Sequence, residues 1–391
     1  MNAPQSDPEN SAVPAPQRKN RALKILLAVV AIVLLIPLTL QLLAGRSPVV
    51  DVGNRVSALG GRIDTSVAAP EFLQAIFGDD RDVWQRFYGG VEVSKIMLNQ
   101  CPVRDEDLIV LRQTPQLKTL GLRGTRITDA GFGDLSHVPS LEKLDAGQTG
   151  VTNAGLKHLP LLEDLQELNL SGTGISDVGA AALREMNSLT VLDVSATNLT
   201  DAALDSLSQI PHLETLILNG CNLTDAGLES LKSCQSLRHL SLREIPVTGH
   251  FLHQLGEVPL ERLDLGGSSF NGAELRDLGR LKSLTVLSLN HCPIDAAGIA
   301  AIAEIPGLQD LSLDHTQMTD EAIVKLRDVP SLRTLSINST LVSAQGLREL
   351  KDLPNLQLVK AHNTKVTRAD VDTLAAEIDS LAITTASPGG G

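Results

Sequence analysis

His291 and His315 stand 24 residues apart, with Asp314 beside the second and His362 further along. Imidazole with carboxylate is a donor set that a transition metal accepts. Histidines at surface turns are more often solvated polar groups, so we assign no metal and no other cofactor. The four cysteines, Cys101, Cys221, Cys234 and Cys292, show no paired C-x-x-C. There is no G-x-x-x-x-G-K-[ST] phosphate loop and no H-E-x-x-H. No nucleophile stands in an evident constellation with a base, and nearly every Asp and Glu has a place as a helix cap or on a solvated face. The sequence therefore reads as that of a non-enzyme.

The chemistry-bearing residues fall into register once the elements that hold them are found. Taking Leu117 as position 1, the frame runs Leu117, Leu120, Leu122, Thr125, Ile127, Thr128-Asp129, Gly131-Phe132, Leu135 and Val138. It restarts at Leu141, Leu165, Leu189, Leu213, Leu237, Leu260, Leu284, Leu308, Leu332 and Leu356, with a weaker copy earlier at Val93. The period is 24, broken once where Leu237 is followed by Leu260. Positions 1, 4 and 6 are apolar, and positions 3, 5 and 7 alternate away from them, which predicts a short strand. Position 12 is Thr128, Thr152, Ser176, Thr200, Thr224, Thr248, Asn271, Asp295, Thr319, Ser343 and Thr367, all preferred helix N-caps whose side-chain oxygens accept orphan N–H groups. Position 13 is often Asp, favourable at the positive end of a helix dipole. Positions 16, 19 and 22 are apolar at helical spacing, as in Leu228, Leu231 and Cys234. Each unit is strand, turn and short helix, and stacking joins the apolar faces into one core.

At LxxLxLxx[TC]x[IL]TDxGLxxLxxL the chain resembles the leucine-rich-repeat family. More narrowly it is similar to the cysteine-containing type with TDxGL helix starts, found in bacterial membrane-anchored repeat proteins. The resemblance covers residues 93–379 and implies an α/β solenoid of about twelve repeats, with parallel strands on a concave face and short helices on the convex one. It also implies that Cys101, Cys221 and Cys292, at position 9, point inward and bond backbone groups. Strands ~4.8 Å apart place Cys101 ~24 Å from Cys221 and Cys221 ~14 Å from Cys292, beyond the ~7 Å between Cα atoms that a disulfide spans. Four reduced, buried thiols are expected. Residues 56–65, with their Leu-Gly-Gly, are weakly similar to a segment that precedes such repeats.

Outside the repeats the composition changes. Residues 1–21 are rich in Pro, Asn, Ser and Ala and read as a disordered cytoplasmic N-terminus. Residues 22–44 are almost wholly apolar, long enough at ~1.5 Å per residue to cross a bilayer as a signal anchor. Arg18, Lys19, Arg21 and Lys24 lie at or before its start and only Arg46 follows closely, which predicts a single-pass protein with its N-terminus cytoplasmic and its repeats extracytoplasmic. A cleaved signal peptide is the competing reading, but Leu42 and Ala44 make a poor cleavage site and no Cys follows for a lipoprotein anchor. Residues 45–92 are a linker and N-terminal cap, holding Phe72, Phe77, Trp84, Phe87 and Tyr88; a sugar- or peptide-binding aromatic patch is the alternative. Residues 380–391 read as a disordered tail.

The formal charge of −13, with no segregated basic patch, argues against nucleic acid. Positions 2, 3, 5, 7 and 8 of the twelve units hold nine Lys or Arg and ten Asp or Glu, a near-neutral mixture that suits a protein or peptide partner. The candidate binding residues on that face are Arg123, Asp145, Asn169, Asp193, Asn219, Arg243, Asp264, Asn290, His291, Asp314, His315, Asn338 and His362. Pro246, Gly249 and Phe251, then Gly266-Gly267-Ser268-Ser269-Phe270, depart from the frame and predict a change of curvature, by drift of one repeat or as a site. The sequence thus points to a membrane-anchored interaction module. An intracellular adaptor, or a substrate receptor of a ubiquitin ligase, is the alternative that similar repeats suggest.

Overall fold

The computed structural model describes residues 48–67, 91–270, 272, 274–378 and 381–385. Residues 1–21, the apolar stretch 22–44 and the aromatic cluster between residues 72 and 88 lie outside them. Among the described residues no helix is long and apolar enough to cross a membrane. The chain divides into two compact units, residues 1–54 with 65–92, and residues 55–64 with 93–391. The first is described over residues 48–54, within the helix α1 (Pro48–Ala58), and in short stretches of strand. The second carries the repeats.

The strands follow one another across a sheet in sequence order, from β1 (Arg62–Val67) and β2 (Val91–Met97) to β13 (Leu358–Lys360) and β14 (Ala382–Thr384). From β2 to β14 every neighbouring pair is parallel, and the position-4 residues meet their counterparts, as in Leu120 with Leu144 and Leu144 with Leu168. Those leucines point inward and are buried, while positions 3 and 5 face outward. The short unit keeps this register: Leu240 pairs with Leu263. It loses its residue from the turn ahead of the strand, where Val258-Pro259-Leu260 replaces the pattern of Val138-Pro139-Ser140-Leu141. Leu260 N–H bonds Val258 O, two residues back, where Leu141 N–H bonds Val138 O, three back. The sheet also runs past residue 379, where the sequence suggested a tail: Ile383 pairs with Val359, and Leu381, 25 residues after Leu356, is buried.

The recurring T-D-x-G has a different cause from capping alone. The position-13 carboxylate of one unit reaches the next. Asp129 accepts Thr152 N–H (2.7 Å), Thr152 O–H (2.6 Å) and Gly155 N–H (2.9 Å). Asp105, Asp177, Asp201, Asp225 and Asp320 hold Thr128, Thr200, Thr224, Thr248 and Ser343 in the same manner, and Asn153 holds Ser176. Charge-assisted bonds of this kind are the stronger class. Thr128, Thr152, Asp295, Ser343 and Thr367 accept from their own helices as expected. Ser176, Thr200, Thr224 and Thr319 sit at the N-cap without doing so. Thr248 gives the N-cap to Gly249, whose φ of 102° needs glycine. Asn271 lies outside the described residues. The glycine at position 15 follows from the same contact: a Cβ on Gly227 would lie 2.3 Å from Asp201 Oδ1, and one on Gly155 2.7 Å from Asp129 Oδ1.

Inside the turn, position-9 threonines donate to the position-6 carbonyl of their own unit, as Thr149 does to Ala146 (2.7 Å). The cysteines that replace them reach one unit back: Cys221 Sγ to Val194 O and Cys292 Sγ to Leu265 O, each 3.3 Å. All four thiols are free, and Cys221, Cys234 and Cys292 are buried. Cys101 is only half-buried, a correction to the expectation: it lies in the first unit, with no earlier repeat to reach back to, and among the described residues keeps only the bond to Asn99 O that Cys292 also makes to Asn290 O.

Candidate functional site

The outward face of the sheet is built from positions 3, 5 and 7. At position 7 the backbone N–H leaves the ladder, since positions 6 and 8 make the inter-strand bonds (Leu122 N–H to Asp145 O, Gly124 N–H to Gly147 O). That N–H needs an acceptor, and polar groups usually find one. Two sources supply it. Where the preceding unit carries Asn or Asp at position 7, that side chain reaches forward: Asn99 to Arg123 N–H, Asn219 to Arg243, Asn290 to Asp314, Asp314 to Asn338 and Asn338 to His362, at 2.8–2.9 Å. In four units where it does not, a position-5 Asp or Asn of the same unit reaches over: Asp145 to Gly147 N–H, Asn169 to Ser171, Asp193 to Ser195 and Asp264 to Gly266, at 2.8–3.2 Å. Asn219 and Asn290 follow Ser195 and Gly266 and have Ile217 and Ser288 at position 5, so neither source serves them.

The structure thus brings the thirteen candidate residues onto one face and gives eight of them a backbone duty: Asp145, Asn169, Asp193, Asn219, Asp264, Asn290, Asp314 and Asn338. The complementary use of positions 5 and 7 is visible in the sequence once the question of the position-7 N–H is asked. Arg243 leans toward Asp264 (3.5 Å). Arg123 crosses a whole unit to donate to Ser171 Oγ (3.0 Å), passing over Gly147, where a Cβ would come within 2.9 Å of its guanidinium.

His291 and His315 are stacked, ring centroids 4.3 Å apart and planes 8° off parallel. Both have φ near 60°, as does every position-8 residue from Gln100 to Asn363, a left-handed conformation that Asn, His and Gly tolerate best. The chain places two imidazoles face to face. His362 lies at position 7, held through its N–H by Asn338. Among the described residues no group of three or more His, Cys, Asp or Glu is arranged to hold a metal ion.

Two open depressions lie on this face. The first, about 340 Å³, is lined by Met97, Thr119, Gly121, Lys143, Asp145, Glu167, Asn169, Val191, Asp193 and Ile217. Its surface is mostly apolar, because Gly121 leaves a gap in the position-5 row and Val191 and Ile217 bring aliphatic side chains to positions 3 and 5. The second, about 280 Å³, shares Ile217 and continues through His239, Ser241, Arg262, Asp264, Val286 and Ser288. The ion pair of Lys143 with Glu167 (2.5 Å) lies in the lining of the first depression, and Lys118 with Glu142 (2.7 Å) and Arg238 with Glu261 (2.6 Å) occupy position 2, next in sequence to lining residues. The bond to Glu142 raises the Lys118 pKa. Burial raises that of Asp145, with the neighbouring Asp193 adding to it, against the Gly147 N–H and Arg123, which lower it.

The leucine-rich repeat region family matches residues 115–383. The chain belongs to the leucine-rich-repeat family. Among solved structures this leucine-rich-repeat chain is similar to an internalin from Listeria monocytogenes, at 21% identity over 83% of this chain and 100% of that one, TM-score 0.55. It is also similar to a chain of the mouse RP105/MD-1 complex, at 23% identity over 66% of this chain and 45% of that one, TM-score 0.52. A leucine-rich-repeat protein of Leptospira interrogans gives 20% identity over 70% and 62%, TM-score 0.46. No curated protein matches the chain. Sequence reasoning, which sought ligand contacts among polar residues, passed over Met97, Gly121, Val191 and Ile217. An apolar residue at an outward position of a repeat strand is the signal that would have found the last two.

Proposed function

We propose that this leucine-rich-repeat protein is a non-catalytic recognition module, held at a membrane, whose strand face binds a protein or peptide partner. The observation that carries the reading is the apolar-floored pair of depressions meeting at Ile217, bordered by ion pairs, on a face whose formal charge is nearly balanced. Mixed, shallow surfaces suit extended polypeptide better than small molecules, which prefer enclosed pockets. Eight of the polar side chains of the face are tied to backbone duties, which suits a preorganised recognition surface. The apolar residues 22–44, preceded by basic residues, support an N-terminal anchor with the repeats extracytoplasmic.

The test compares two single-site variants of the full chain in crosslinking and pull-down from its own membranes. Ile217→Lys puts a charge at the junction of the depressions, and Val178→Lys puts the same charge at a helix residue that is already 75% exposed. Loss of the captured partner with the first and not the second is expected; equal capture by both contradicts the reading. Digestion of spheroplasts carrying a C-terminal tag checks topology. Cleavage by external protease is expected, and resistance favours the intracellular adaptor.

A further inference from the structure

The acidic groups in the first depression exceed what the fold requires. Asp145, Asn169 and Asp193 occupy position 5 in three successive units, and each does the same work with one oxygen, Oδ1, accepting the position-7 N–H of its own unit. Asn169 does it without a charge, and also accepts Ser171 O–H (2.7 Å), as Asp193 accepts Ser195 O–H (2.6 Å). A neutral amide is therefore sufficient here. The second oxygens of Asp145 and Asp193 make no hydrogen bond or ion pair among the described residues. Lys143, the one cation lining the depression among the described residues, is taken by Glu167 at 2.5 Å. Arg123 lies near Asp145 but donates to Ser171 Oγ. Asp193 has no cation paired with it among the described residues.

The carboxylates sit beside apolar surface, at Val191 and Ile217 on one side and Gly121 and Met97 on the other. These two like charges lie two units apart, ~10 Å at the strand spacing, and flank Asn169, with the Arg123 guanidinium on the Ser171 side of that row and the depression on the other. Keeping two ionised groups half-buried next to aliphatic side chains is unfavourable in the free protein. A cationic side chain that arrives with a partner relieves it, while the aliphatic rim takes the flanking residues of the partner.

We propose that the depression bounded by Gly121, Asp145, Asp193 and Ile217 is the docking site for a basic segment of the partner polypeptide, whose lysine or arginine side chain seats between Asp145 and Asp193. This rests on the reading of the strand face as a protein- or peptide-binding surface and adds the chemistry of the partner. The substitutions that test it leave the backbone supported, because Asn169 shows that an amide at position 5 holds the position-7 N–H.

Phage-displayed random peptides selected on the full-length chain in nanodiscs provide the probes. Peptides recovered after selection are synthesised, and each is titrated against wild type, Asp145→Asn/Asp193→Asn, Ile217→Lys and Glu163→Gln/Asp164→Asn. The last removes two charges from exposed positions outside the lining of the depression. Thermal melts confirm that each variant is folded. The expected result is a recovered pool rich in Lys and Arg, binding lost with Ile217→Lys, weakened about tenfold or more by Asp145→Asn/Asp193→Asn, and unchanged by Glu163→Gln/Asp164→Asn. Peptides lost with Ile217→Lys but indifferent to the two aspartates, or without basic residues, overturn this inference and leave the strand-face reading standing. Equal weakening by both pairs of charge substitutions overturns it as well, since it reduces the effect to the charge of the whole chain. Peptides indifferent to Ile217→Lys, or no recovered peptides at all, overturn both readings.

Discussion

Removing the Asp129 carboxylate is the sharpest probe of how the units are joined. The side chain accepts Thr152 N–H and O–H and Gly155 N–H, all from the following unit. Thr152 is exposed, so its two donors regain water when the carboxylate goes. Gly155 is buried; its N–H keeps only a 3.1 Å bond to Thr152 O. Charge-assisted bonds contribute roughly 1.5–3 kcal/mol each before such rehydration is discounted, so Asp129→Ala should cost about 2 kcal/mol. At about 2 cal/mol/K per residue for a unit of nearly 300 residues, the melting midpoint falls by about 3 °C. Asp129→Asn should cost less than about 1 kcal/mol, because Asn153 already serves one unit later, its amide donating to Ser176 Oγ (2.9 Å) while its carbonyl accepts Ser176 N–H (2.9 Å). Urea unfolding of the full-length protein followed by circular dichroism gives both values, and hydrogen exchange at Gly155 localises the effect. An Asp129→Ala protein as stable as wild type, or an Asp129→Asn protein as damaged as Asp129→Ala, refutes the inter-unit role.

Other consequences are equally direct. Native protein treated with a maleimide at neutral pH should label at Cys101 first, with Cys234, whose thiol burial pushes up to about 11, among the last; early labelling of Cys234 is the contrary result. Burial raises the Asp145 pKa above its unfolded value, so its ionised form weakens the fold. Asp145→Asn should therefore stabilise the protein at pH 7, and the gain should vanish as pH falls below the ordinary carboxylate value of about 4. Asp225 has the opposite sign: burial raises its pKa, but the N–H groups of Thr248, Gly249 and Phe251 lower it further. Its contribution is present above the unfolded value and lost as pH drops toward the depressed folded one, so Asp225→Asn should flatten the acid limb of a stability–pH curve. Gly227→Ala forces a Cβ to within 2.3 Å of Asp201 Oδ1 and should cost about 1–3 kcal/mol. Gly133→Ala, with nothing nearer than 3.9 Å, should be neutral or stabilising; a paired thermal melt separates the two.

Most of the architecture is written in the spacing of leucines. Period two within a strand and period 24 between strands leave few ways to bury Leu120, Leu144 and Leu168 except by stacking them. What the period does not show is which polar side chain answers which backbone group one unit away. Asp129 looks like a helix-dipole residue from its own unit and becomes an acceptor for Thr152 only when the neighbour is placed. Asp145, Asn169 and Asn338 look like ligand contacts until the position-7 N–H is followed into space. The break between Leu237 and Leu260 announced itself in the sequence, yet its effect is a tightened turn at Pro259 while the strand register is kept. The depression at Ile217 was hidden because its walls are defined as much by the missing side chain of Gly121 as by the residues present.

The strand face is the centre of the account, and Ile217 is its middle. Equilibrium binding of the captured partner to full-length Ile217→Lys and Val178→Lys proteins, both shown to be folded, tests it most directly. Affinity should fall by about a hundredfold for Ile217→Lys, the loss of a central apolar contact together with burial of an unpaired charge, and stay at the wild-type value for Val178→Lys. Undiminished binding by Ile217→Lys, or loss confined to Val178→Lys, would place recognition on another surface.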